Sequence, residues 1–206
     1  MAGFLNHSFF LLKSFTNIGP SPYAGGQMQN KQIIDKTMGI SAANWWGSGL
    51  ALGATCILFL LFKAVWQDTR LNFSLQTALI GAIILVISIV VHELIHGIGY
   101  WLGGANWSEI KFGFKKATPY AHCTIPLKLA GYRWAVALPG LILGVGPTLI
   151  AFWTGSYPLF VYATVMLISA AGDLLILWLL RDAPHTALVF DHPSAVGCEL
   201  HIGKAI

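Results

Sequence analysis

Four stretches of this sequence stay apolar for about twenty residues or more, at 46–66, 77–102, 134–153 and 158–180. A helix needs about 20 such residues to cross roughly 30 Å of hydrocarbon, and inside lipid it must satisfy every backbone N–H and C=O within itself. The stretches therefore predict four transmembrane helices. Composition agrees, with only 10% charged residues and a mean hydropathy of +0.68, against about 25% charged in soluble domains. That excludes an ordinary soluble enzyme, a disordered tail, a coiled coil and a nucleic-acid module. Trp45, Trp46, Trp66, Trp101, Trp134 and Trp153 sit at or near the ends, where an aromatic belt forms. The expected fold is an all-α integral membrane protein with one domain over 1–206.

The net charge of +4 is spread between apolar blocks, so it reads as a topology signal and not as a nucleic-acid surface. With four spans, ten Lys and Arg fall with the termini and the loop between spans two and three, and two, Lys63 and Arg70, fall on the other face. Both termini and that loop are therefore expected in the cytoplasm. In the loop, Ile110, Phe112 and Phe114 alternate with Lys111, Gly113 and Lys115, the period of a half-buried strand. A turn at Thr118-Pro119 and a second extended run over 120–125 complete an expected short cytoplasmic β-hairpin. Residues 18–32 read as a Gly/Pro-rich loop, with an interfacial helix possible before it. No cleaved signal peptide is expected from residues 1–15, which lack a basic start and a small-residue cleavage site. Cys56, Cys123 and Cys198 have no spacing that implies a disulfide framework or a zinc ribbon.

Ionisable groups at membrane depth are costly and mark function by default. Of the acids only Glu93 and Asp173 lie in the expected spans, and of the histidines only His92 and His96. His92-Glu93-Leu94-Ile95-His96 is the H-E-x-x-H pattern of metalloproteases. From this composition it arises by chance about 0.003 to 0.004 times per chain. Residues four apart on a helix differ by about 40° in azimuth, so both imidazoles can grip one tetrahedral ion. Glu93, one step round, can serve as general base towards a water activated by that ion.

A catalytic zinc takes three protein ligands and keeps one position open. Asp173 is the candidate third ligand. His92 and Asp173 each lie 15 residues into spans that run the same way, about 22 Å along either helix and hence at similar depth. His122 with Cys123 in the hairpin, and His185, His192 or Glu199 in the tail, are the competitors. Gly140 and Gly144 form a G-x-x-x-G that suits close helix packing, and Pro147 predicts a kink in span three.

A wider set of residues carries a resemblance. It comprises His92-Glu93-Leu94-Ile95-His96-Gly97, Thr118-Pro119-Tyr120-Ala121-His122-Cys123, Pro139-Gly140, Gly172-Asp173, Asp191-His192-Pro193 and Gly197-Cys198. Over roughly 85–200 the chain resembles a family of small bacterial membrane proteins described as zincin-type peptidases, and more broadly the site-2 protease type of intramembrane zinc metalloprotease. The resemblance implies zinc (Zn2+) held by His92, His96 and Asp173, with Glu93 as catalytic acid and base. One departure is that Leu174, not glycine, follows the acid.

The expectation is thus a zinc-dependent endopeptidase in a bacterial cell membrane. It would hydrolyse membrane or membrane-adjacent protein substrates near the cytoplasmic leaflet, with the Ile110 to Phe114 strand as a possible edge for an extended substrate. The rival readings are a proton- or ion-coupled transporter and an inactive metal-binding scaffold.

Overall fold

The computed structural model describes residues 31–67, 74–115, 118–192 and 196–203. Of the loop expected over residues 18–32, Lys31 and Gln32 instead open a strand, and the rest, with the interfacial helix before it, lies outside the described residues. Strand β1 (Lys31–Met38) leads into helix α1 (Ile40–Val65), and helix α2 (Leu75–Leu102) follows. A single 3-10 turn opens a hairpin of β2 (Ile110–Lys115) and β3 (Thr118–Cys123). Next come β4 (Leu127–Lys128), α3 (Leu129–Pro139), a π-helical segment (Gly140–Val145) and α4 (Gly146–Thr154). Helices α5 (Tyr157–Ser169) and α6 (Ala171–Leu179) precede β5 (Leu188–Asp191) and β6 (Val196–Gly203).

The all-α expectation is overturned. Besides the hairpin, a second antiparallel sheet of four strands runs in the order β1-β6-β5-β4, so the fold is mixed helix and sheet. Its first strand is far from the others in the sequence, with β1 paired to β6 from Lys31 opposite Gly203 to Met38 opposite Val196. Hydropathy scanning finds helices because each helical segment satisfies its own backbone, whereas this sheet is built from short strands with distant partners. The tail did carry a local signal: Val196, Cys198, Leu200 and Ile202 alternate with Gly197, Glu199, His201 and Gly203, and Cys198 and Leu200 are fully buried.

Gly197 makes the β1–β6 pairing possible. Its φ is +126°, and a Cβ there would stand 2.2 Å from the Lys36 carbonyl oxygen and 2.8 Å from Thr37 Cα. Alanine would add left-handed strain to a backbone clash, each costing about 1–3 kcal/mol. Gly197→Ala is expected to lower the thermal unfolding midpoint in detergent by several degrees. An unchanged midpoint would show that the two strands are not so closely paired.

Three helical stretches, Trp45–Val65, Leu75–Leu102 and Leu129–Thr154, are long and apolar enough to cross a membrane. They leave large apolar side chains such as Leu60, Ile83, Val86 and Leu149 exposed along their flanks, more than a water-facing surface normally carries. The third stretch begins five residues before the expected start and contains the π-helical segment between Pro139 and Pro147. There, Gly140 and Gly144 lie against Ala170 and Leu167, the close packing that small residues permit. The expected fourth span is not one straight helix. Helices α5 and α6 meet at Ala170 with a bend of 43°, and Asp173 falls in the first turn after it.

The hairpin lies where the alternation places it, with Phe112 opposite Ala121. The turn does not fall at Thr118-Pro119. Both residues belong to β3, opposite Lys115 and Phe114. The main core forms where α2 ends, α3 begins, α6 ends and the two sheets meet. It includes Tyr100, Ile110, Leu129, Tyr132, Leu180 and Leu200. A smaller cluster at the opposite end stacks Phe62 on Phe160 at 4.3 Å, beside Trp66, whose Nε1 donates to the Phe152 carbonyl at 2.9 Å.

Candidate metal centre

Helix α2 carries His92 and His96 one turn apart, both 7% exposed, with ring centroids separated by 4.9 Å. Helix α3 packs against this part of α2 because Gly99 leaves room: a Cβ there would stand 2.5 Å from Ala135 Cα. That approach brings the Ala135 carbonyl oxygen to 3.0 Å from His96 Nδ1. One turn earlier, Ser88 meets the Tyr162 hydroxyl at 2.9 Å and fastens α2 to α5. From the break beyond α5, Asp173 then reaches back to both rings. Its Oδ2 is 3.1 Å from His92 Nε2 and its Oδ1 is 3.3 Å from His96 Nε2.

The donor set suits a cation for a reason that the hydrogen bonds supply. A carbonyl only accepts, so His96 Nδ1 carries the proton, and Nε2 of the neutral ring is a bare lone pair. That lone pair faces a carboxylate oxygen. Two acceptors so close need a positive charge between them, either a ring proton or a metal ion. His92 Nδ1 is buried without a hydrogen-bond partner among the described residues, which leaves Nε2 as the nitrogen that engages Asp173. One ligand atom from each of the three residues can be chosen so that all lie within 4.8 Å of one another. Two imidazoles and one carboxylate, with a gap of that size, fit a zinc-type ion with an open position.

Glu93 sits beside this group, partly exposed, with its carboxylate against the backbone N–H of Ala121 in β3. The hairpin comes this close because Gly97 has no side chain: a Cβ there would lie 2.5 Å from the Phe112 ring. Pro119 has no N–H, and the Cys123 N–H goes to Asp191 Oδ2 at 2.9 Å. The odd-numbered residues of β3 therefore turn their backbone groups away from β2 and towards Glu93 and Asp191.

Of the competing third ligands, none joins the group of three among the described residues. His122 pairs with Asp191 at 3.4 Å, Glu199 is 3.5 Å from His201, and His185 is exposed. Burial raises the Cys123 thiol above its ordinary value and pushes Cys198 up to about 12. Two groups that touch the site escaped sequence reasoning. The Ala135 carbonyl and the Ala121 N–H are backbone and carry no residue signal.

Comparison with curated proteins and with solved structures found no match. Residues 85–188 match the model of a family described as "Putative zincin peptidase". The matched segment spans α2 from its eleventh residue, the hairpin, and α3 to α6, so it contains His92, Glu93, His96 and Asp173 together. On that match, over half its length, the chain belongs to this zincin peptidase family.

Proposed function

We propose that this chain is a zinc-dependent endopeptidase embedded in a membrane, cleaving membrane or membrane-adjacent proteins near the cytoplasmic face. The observation that carries the reading is the convergence of His92 Nε2 and His96 Nε2 on the Asp173 carboxylate, with Glu93 on the same helix. His92, His96 and Asp173 would hold the ion. When bound, the ion supplies Lewis acidity, polarising the scissile carbonyl and making water a nucleophile at neutral pH. Glu93 takes the proton from the attacking water and returns it to the leaving amine. The Ala135 carbonyl fixes the His96 ring so that its other nitrogen faces Asp173 and would be available to the ion.

The edge that favours an extended substrate is that of β3, not the β2 edge suggested by alternation alone. It is the outward edge of β3, at Ala121, that borders Glu93, so a peptide strand added there lies beside the base. A cavity of about 500 Å³ between α2 and α5 is lined by Ile80, Ile84, Leu85, Leu159, Tyr162 and Val165. Its apolar walls suit a membrane segment of the substrate, and Tyr162 bonds to Ser88, one turn from His92. The Lys and Arg bias supports cytoplasmic termini.

Metal removal tests the reading. The purified chain in detergent is expected to hold close to one zinc, to cleave a membrane-stub peptide, and to lose that cleavage on chelation. Stoichiometric zinc should restore it. Cleavage that persists with the metal gone, or ion flux in liposomes without cleavage, would replace this reading with another.

A further inference from the structure

The strand β5 places a carboxylate where it meets three of the elements around the metal centre. Asp191 ends β5, beyond the segment that matches the family, and its side chain is 11% exposed. Three elements turn towards it. From β3 come the Cys123 N–H at 2.9 Å and His122 Nδ1 at 3.4 Å. From α3 the Tyr132 hydroxyl donates to Oδ1. From α2 the Tyr100 hydroxyl lies near the same group.

Each contact lies one step from a group that touches a site residue. Cys123 is two residues from Ala121, whose N–H faces Glu93. Tyr132 is one turn before Ala135, which orients His96. Tyr100 is one turn after His96, its ring stacked on the imidazole at a centroid distance of 6.4 Å. A carboxylate accepts several hydrogen bonds at once, so a single side chain can hold the three elements in register. No other charged side chain among those described bridges α2, α3 and β3.

We propose that Asp191 is a positioning residue, acting through Tyr132, Tyr100 and the Cys123 amide to aim His96 at the metal and to set the β3 edge against Glu93. This rests on the metal reading above but not on the peptidase reading. Partners beyond the direct ligands set ligand orientation, and their loss costs about 10- to 100-fold in metal affinity or activity. The tail would thus be part of the active centre, although its strand pairing gives it the look of a separate surface sheet.

Full-length chain in detergent supplies the test, with zinc affinity measured against a competing chelator and site geometry read from the visible spectrum of the cobalt-loaded protein. Asp191→Asn is expected to weaken zinc binding by about 10- to 100-fold and to change the cobalt spectrum. Tyr132→Phe, which keeps the carboxylate and removes one donor, should move both readouts the same way and less far, and it serves if Asp191→Asn does not fold. Val189→Ala loosens the same strand at a fully buried position and should lower the unfolding temperature while leaving zinc affinity and the cobalt spectrum at wild type. Wild-type affinity and spectrum in the folded Asp191 and Tyr132 variants would overturn the proposal, as would an equal loss in Val189→Ala. A wild-type chain that binds no zinc overturns it together with the peptidase reading. One that binds zinc without cleaving peptides fails the peptidase reading alone and leaves these readouts to decide.

Discussion

Replacing Glu93 with glutamine is expected to lower peptide cleavage by about 10²- to 10⁴-fold, the contribution typical of a positioned general base, with the zinc content still near one per chain. Glutamine has the same shape and keeps an oxygen for the Ala121 N–H, so the hairpin should stay in place. What it lacks is the capacity to accept and return a proton. The metal content separates two roles that a simple loss of activity would confuse. Because Asp173 bridges His92 and His96 at 3.1 and 3.3 Å, the proposed ion would have three ligands without Glu93. A variant that loses zinc and cleavage together would make Glu93 a ligand, and one that cleaves within tenfold of wild type would place the base elsewhere.

The part of this arrangement that was legible in the sequence is the part made of local pattern. His92 and His96 share a face because they are four residues apart on one helix, and no tertiary knowledge is needed to say so. The three long apolar stretches and the alternation of Ile110, Phe112 and Phe114 are signals of the same kind. Residues 158–180 looked equally regular, yet the chain bends at Ala170. Hydropathy is insensitive to a bend between apolar segments, although the run Ala170-Ala171-Gly172 offers little side-chain packing to keep the helix straight. The four-stranded sheet was hidden for a different reason. Strand β1 lacks a clean period of two, because Ile33 and Ile34 are adjacent, and its partner β6 lies at the far end of the chain. Asp191 was hidden with it, because a buried carboxylate becomes recognisable only once Tyr132 and the Cys123 amide are known to face it.

The second large effect is expected at Asp173. Asp173→Ala should weaken zinc binding by more than the 10- to 100-fold typical of an outer partner, because it removes a ligand and not a support. Two imidazoles one turn apart then remain, and a zinc with two protein ligands is short of the three that catalytic sites supply. Asp173→Asn tests charge separately from reach. The amide keeps one oxygen near the histidines but brings an NH2 that donates, so it should fall between alanine and wild type. If the carboxylate serves only as a hydrogen-bond acceptor for His92 and His96, the two variants should alter thermal stability and leave zinc stoichiometry and affinity alone. That outcome would require the third ligand to come from another side chain. His122 is the histidine on the strand that meets Glu93, but its Nδ1 is turned to Asp191, so recruiting it would mean breaking the contact that ties the tail to the hairpin. Zinc affinity in Asp173→Ala therefore decides between a site completed across the α5–α6 bend and one completed from the β3 edge.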